Sequence, residues 1–143
     1  MPSLRHVDTC FGCSATSPTA LGIRVTSSAD GAEGRVRFDD GSEGAPGLVH
    51  GGLLATLADE VMGYVPHGGN AVRLTTELTI RYRRPTPVDT DLRCVAQTRA
   101  RAGETDGRRF TVDAVITTAD DETTVLAEVD ATYVLLVPGS EVT

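Results

Sequence analysis

Ala45-Pro46-Gly47-Leu48-Val49-His50-Gly51-Gly52-Leu53-Leu54-Ala55-Thr56-Leu57-Ala58-Asp59-Glu60-Val61-Met62-Gly63-Tyr64-Val65-Pro66 is the stretch around which the chain is organised. Apolar residues at 53, 54, 57, 58, 61, 62 and 65 follow helical spacing and make a wide buried stripe. Pro46 precedes the element and Pro66 closes it, so a helix over about 51–65 is expected. Two features depart from a plain core helix. His50-Gly51-Gly52 stands where Ser, Thr, Asp or Asn is the usual cap. The carboxylates Asp59 and Glu60 interrupt an apolar run.

The glycines expose the first-turn amides. Those N–H groups have no partner inside the helix and carry the positive end of its dipole. Without side chains at 51 and 52, a carbonyl oxygen gaining negative charge could be held there; a turn that simply needs glycine is the structural alternative. Asp59 lies seven residues beyond Gly52, about two turns along and about 10 Å away at the helical rise. One reacting carbon cannot touch both. Two copies of the helix packed antiparallel about a two-fold axis would bring Asp59 of one chain to the amides of the other, giving two identical composite sites.

His50, Gly51, Gly52, Leu57 and Asp59 form the pattern H-G-G-x-x-x-x-L-x-D, which resembles the hotdog-fold acyl-CoA thioesterases of the phenylacetate-pathway (PaaI-like) type. The run Leu74-Thr75-Thr76-Glu77-Leu78-Thr79-Ile80-Arg81-Tyr82-Arg83-Arg84-Pro85 is similar to that family's strand after the helix. Cys10-Phe11-Gly12-Cys13 with Gly22 resembles a leader found in one branch. The resemblance implies an α+β hotdog fold, an antiparallel β-sheet wrapped around one central helix. It also implies acyl-CoA hydrolysis without a cofactor, by a homodimer or a dimer of dimers.

The 143 residues suit one domain with one core, with residues 1–19 as leader and loop. A net charge of −7 argues against nucleic acid and anionic membrane surfaces as partners. All thirteen basic residues are Arg. No stretch has the length of a membrane helix and no signal pattern opens the chain, so a cytoplasmic protein is expected. Three cysteines, an odd count, fit a reducing compartment. Cys10-x-x-Cys13 has no second pair to complete a four-ligand metal set, although Cys94 and His6 could contribute or a dimer could pool two pairs, so a structural turn is expected ahead of a metal site or a redox pair, and no metal is assigned.

In chain order, strands are expected at 20–27 and 32–38, joined at Asp30-Gly31 as a hairpin. A loop at 39–47 leads into the helix. His67-Gly68-Gly69-Asn70 reads as a turn. Four strands follow, at 72–84, 91–102, 108–119 and 122–136, with turns at 103–107 and Asp120-Asp121. Their length suggests an antiparallel meander, the helix packing on its concave face.

A thioester already has a good leaving group. What it needs is a polarised carbonyl and a nucleophile, which assigns Gly51 and Gly52 to the carbonyl and Asp59 to water, as general base or by direct attack. His50 would orient the thioester or simply satisfy the turn. Glu60, about 100° around the helix from Asp59, points away from it and suits a salt bridge or the rim of the substrate site. By resemblance Thr75 supplies a hydroxyl to the water, yet alternation puts Thr76, not Thr75, on the face of Leu78 and Ile80 unless a bulge intervenes. Anionic coenzyme A calls for arginine at the site mouth, with Arg84 the choice among Arg81, Arg83, Arg84, Arg108 and Arg109. Leu53, Leu54, Met62 and Tyr64 are candidate acyl-pocket residues. A non-catalytic acyl-CoA-binding module and a hotdog hydratase or dehydratase are the alternative classes.

Overall fold

The computed structural model describes residues 7–67, 71–99 and 107–136. Strands β1 (Arg24–Ser27) and β2 (Gly31–Arg37) form the first hairpin, closed where the Ser28 N–H donates to the Gly31 carbonyl. A ribbon of two short strands, β3 (Glu43–Ala45) and β4 (Leu48–Val49), leads into helix α1 (Gly51–Gly63). Strands β5 (Arg73–Tyr82), β6 (Asp91–Arg99), β7 (Arg109–Thr118) and β8 (Val125–Leu135) complete the sheet. Its six strands run in the order β1-β2-β6-β7-β8-β5, every pairing antiparallel. The expected α+β arrangement, one helix against a large antiparallel sheet, is what the chain adopts.

Several boundaries differ from the pattern, each for a local reason. The first strand starts at Arg24 rather than 20 because the leader claims the preceding backbone: Leu21 and Ile23 donate to the carbonyls of Phe11 and Gly12. Segment 39–47, expected as loop, holds a 3-10 turn (Asp40–Ser42) capped by Asp39, and strand β3. The last strand starts at Val125 because the Asp121 carboxylate accepts from Thr123 and Thr124 and stretches the turn. Only β6-β7-β8 is a meander. β5, which precedes them in sequence, crosses to the far edge and pairs with β8. The expected end of the fourth strand at 100–102, the turn at 103–107 except Gly107, and residues 68–70 lie outside the described residues.

α1 packs against β2, β5, β6, β7 and β8. It buries Leu54, Leu57, Ala58, Val61 and Met62 against Leu92, Phe110, Val112 and Ile116. Burial of each large aliphatic side chain is worth about 1.5–3 kcal/mol, so this stripe holds the helix in place. The closest approach is at Gly34 in β2, where an added Cβ would stand 2.2 Å from Val61 Cγ2. The helix lies almost on the strand backbone there.

Candidate active site

β5 lies along α1 and grips it at three points. Near the helix C-terminus, the Arg73 guanidinium donates to the carbonyls of Gly63 (3.0 Å), His67 (2.7 Å) and Val65. The first of these bonds serves a carbonyl that the helix itself leaves open, the other two hold the segment just beyond it, and the cation faces the negative end of the dipole. In the middle, Thr75 Oγ1 donates to Asp59 Oδ1 at 2.7 Å. At the N-terminus, the Tyr82 hydroxyl donates to the Gly51 carbonyl at 2.8 Å.

This requires a change of phase along β5. Thr75 is opposite Tyr133, whereas Glu77 is opposite Thr132, so Thr76 is an extra residue in a bulge. Directly opposed residues in an antiparallel pair share a face. Thr75 therefore sits with the buried Tyr133, and Leu78 with the buried Ala131. Thr76 spends its hydroxyl on the Thr132 carbonyl, at 3.1 Å. Strict alternation favoured Thr76 as the inward threonine; the bulge brings Thr75 to Asp59 instead.

Asp59 is half-buried and lines a cleft of about 230 Å³ with Thr75, Tyr133 and Arg73. The Tyr133 phenol also donates to Oδ1, at 2.7 Å, and stands 3.1 Å from the Asp59 carbonyl. Oδ1 is thus held twice, while Oδ2 takes no hydrogen bond among the described residues. Burial, with the nearby Asp59 charge, pushes the Tyr133 phenol well above its ordinary value, so it remains a proton donor at neutral pH. Tyr133 did not emerge from the sequence. Its signal was a phenol on the apolar face of β8, beside Ala131 and Val129, where a buried hydroxyl needs a partner.

At the other end of the helix, His50 is the N-cap: its Nδ1 accepts from the Gly52 N–H at 2.9 Å, and its carbonyl accepts from Leu53 N at 2.9 Å. The acceptor role places the ring proton on Nε2. The Gly52 amide, expected open, is therefore taken. The first-turn N–H with no acceptor among the described residues is that of Gly51. Gly51 and His50 line a second cleft of about 500 Å³ with Leu54, Tyr82 and Arg84. Arg81 pairs with Asp130 (3.1 Å) and Arg83 with Glu128 (2.7 Å), whereas Arg84 has no carboxylate partner among the described residues. The single chain thus separates its carboxylate from its open amide by eight residues of helix, about 12 Å.

Residues 46–125 match the family described as Thioesterase superfamily. The chain belongs to the thioesterase superfamily. It is 32% identical over 101 residues to the mouse protein named Acyl-coenzyme A thioesterase THEM4, covering 71% of this chain and 41% of that protein. It spans less than half the length of the curated relatives it matches. Among solved structures, the conserved protein PA5202 from Pseudomonas aeruginosa superposes with a TM-score of 0.68 at 28% identity, over 81% of this chain and 90% of that one. The E. coli PaaI protein from the phenylacetic acid degradation operon superposes with a TM-score of 0.70 at 20% identity, over 82% and 81%. That last likeness shows the shared hotdog fold.

The remaining candidates of this thioesterase-superfamily chain divide between the two clefts and the core. Met62, expected at the acyl pocket, is fully buried in the core. Leu54 is 3% exposed, with one edge on the second cleft. Leu53 is half-buried against the core and lines neither cleft. Glu60 makes no salt bridge among the described residues. It lies at the wall of the Asp59 cleft, where Cys10 Sγ donates to its Oε1 at 3.4 Å. The Cys13 thiol is pushed up to about 12 by burial, then by Glu60. Cys94 is buried in β6, away from the other two, and His6 lies outside the described residues. His67 stacks on Phe110, ring centroids 4.0 Å apart.

Proposed function

We propose that the chain hydrolyses an acyl thioester, acyl-CoA foremost, to the free acid and CoA. One observation carries the reading: Asp59 has Oδ1 anchored by Thr75 and Tyr133 and leaves Oδ2 without a hydrogen bond beside a cleft. A carboxylate oriented through one oxygen presents the other to water or to a carbonyl carbon. The carbonyl oxygen gains charge as the carbon becomes tetrahedral, and the Gly51 N–H at the positive end of the helix meets it. Water supplies the hydroxyl of the acid; the C–S bond breaks and CoA leaves as thiolate. His50 is a positioning residue that fixes the first turn, and Arg84 suits the phosphates of coenzyme A.

The composite site follows from the 12 Å gap: Asp59 of one copy serves Gly51 of another across a two-fold axis. Strand β5 supports this. It is ten residues long, sits at the sheet edge and pairs on one side only among the described residues, which leaves a template for a second copy. The reading takes residues 1–143 as one domain acting in the cytoplasm. No helix among the described residues is long and apolar enough to cross a membrane.

The test is thiol release from short, medium, long and aromatic acyl-CoAs. Wild type turns over at least one, and Asp59→Asn lowers kcat by about a hundredfold or more. Retained acyl-CoA binding without turnover in the wild type would make the chain a binding module instead. The two-chain arrangement is read by mixing inactive variants. Gly51→Pro removes the amide hydrogen at a helix position that accepts proline. Unfolding and refolding it with Asp59→Asn restores on the order of a quarter of wild-type activity if sites are shared between copies, and none if each chain works alone.

A further inference from the structure

We propose that Cys10, Cys13 and Glu60 form a binding site for a soft divalent cation of the zinc type, with the two sulfurs and one carboxylate oxygen as ligands. The three donor atoms lie within 4.8 Å of one another, and all three residues are half-buried. They come from two separate segments, a leader turn and the middle of α1, so the cluster is an assembled one. It stands apart from the hydrolytic reading and does not depend on it.

The turn around the cysteines has the form that such a site needs. Cys13 N–H points at Cys10 Sγ, at 3.4 Å, and the Ser14 N–H donates to the Cys10 carbonyl at 3.1 Å. Both sulfurs therefore project to one side, 3.1 Å apart. The Tyr64 hydroxyl donates to Cys13 Sγ at 3.2 Å. An N–H on one sulfur and an O–H on the other are donors that steady thiolates, and donors of this kind set ligand orientation around metals. Ser14 holds the turn shut: its hydroxyl donates to the Asp8 carbonyl and accepts from Ser17 N.

Glu60 decides between a metal and a plain turn. Its carboxylate faces the two sulfurs and makes no salt bridge among the described residues. Gly12 is what lets the leader approach it, since a Cβ at that position would stand 2.6 Å from Glu60 Oε2. A disulfide between Cys10 and Cys13 would leave the carboxylate against apolar sulfur. A divalent ion uses all three groups. Sulfur donors select zinc-like ions over magnesium or calcium, and a carboxylate is a regular third ligand. Tetrahedral zinc with sulfur at about 2.3 Å needs the two sulfurs about 3.7 Å apart, an opening of roughly half an ångström from the present separation. Cys10 and Glu60 also border the Asp59 cleft, which supplies water for the fourth position. Each thiol releases its proton to solvent as the ion binds.

The experiment is cobalt(II) titration of the reduced chain of residues 1–143, read by near-ultraviolet thiolate-to-cobalt absorption, with zinc competition by equilibrium dialysis. One equivalent per chain is expected, with the absorption displaced by zinc. Cys10→Ser/Cys13→Ser abolishes the band, Glu60→Gln weakens binding by about tenfold or more, and Cys94→Ala retains it. Circular dichroism of each variant separates loss of the site from loss of the fold. The proposal is overturned if the folded, reduced wild type shows no band. It is overturned equally if the band survives the double cysteine variant, or if Cys10 and Cys13 form a disulfide while the reduced chain takes up no metal.

Discussion

In the proposed hydrolysis Asp59 acts through the difference between its two oxygens, and single substitutions around it separate holding from reacting. Tyr133→Phe keeps the ring in the core and removes one of the two donors to Oδ1. A hydrogen bond to a charged group is worth about 1.5–3 kcal/mol, so kcat should fall about tenfold to a hundredfold. KM should stay near the wild-type value, because the phenol anchors the carboxylate and not the acyl-CoA. Steady-state kinetics checks this; an unchanged kcat would show that Thr75 alone suffices. Asp59, His50 and Gly51 could be picked out as candidates because they lie along one helix and its cap with meaningful spacing. Tyr133 was not, since 74 residues separate it from Asp59 and only the fold brings them together. Gly52 was misread because the sequence cannot show a histidine folding back to cap the amide two residues on.

At the scale of elements, Gly34 is the described glycine where an added Cβ would meet a neighbour most closely, at the contact of β2 with α1. Gly34→Ala puts a methyl carbon where Val61 stands, and Val61 is β-branched and fully buried. Either the helix moves off the sheet or the valine leaves its rotamer, at about 1–3 kcal/mol. Urea unfolding should show the midpoint falling with the slope unchanged. The helix and the six long strands were readable from period and turn residues. The β3-β4 ribbon was not, because strands of three and two residues are too short to show alternation. The place of β5 at the far edge was equally hidden: alternation marks a strand but not its neighbour.

For the whole molecule, acid sensitivity is partly set where the outer hairpin joins the meander. Glu33 of β2 is held by Arg93 of β6, at 2.7 Å, and by Arg35. The hydrogen bond from Arg93, with that from Arg35, draws the Glu33 carboxyl below its usual 4.5 against an opposing push from burial. A carboxyl with a depressed folded value contributes stability that is present above its unfolded value and lost as pH falls through the folded one. The window therefore begins near pH 4.5 and extends downward. The pair is partly exposed, so screening keeps the effect below about 1 kcal/mol. Melting curves of wild type and Glu33→Gln should differ at pH 7 and converge as pH falls from 4.5 through the lowered folded value; a constant difference would assign the effect to packing.

The bulge in β5 makes one residue of the chain uncounted. The inward series Arg73, Thr75, Leu78, Ile80, Tyr82 keeps its order and its faces if Thr76 is left out. β5 should accordingly tolerate a shortening at that single point. A Thr76 deletion heals the ladder, gives up one side-chain bond to Thr132 and retains turnover within a few-fold, on the order of the 1 kcal/mol a lone hydrogen bond is worth. Deleting Thr79 instead reverses every residue before it: Arg73 lets go of the helix end and Thr75 turns from Asp59. Length variants of this strand, assayed side by side, should therefore be accepted or rejected by position, with residue 76 the point where a change in length is silent.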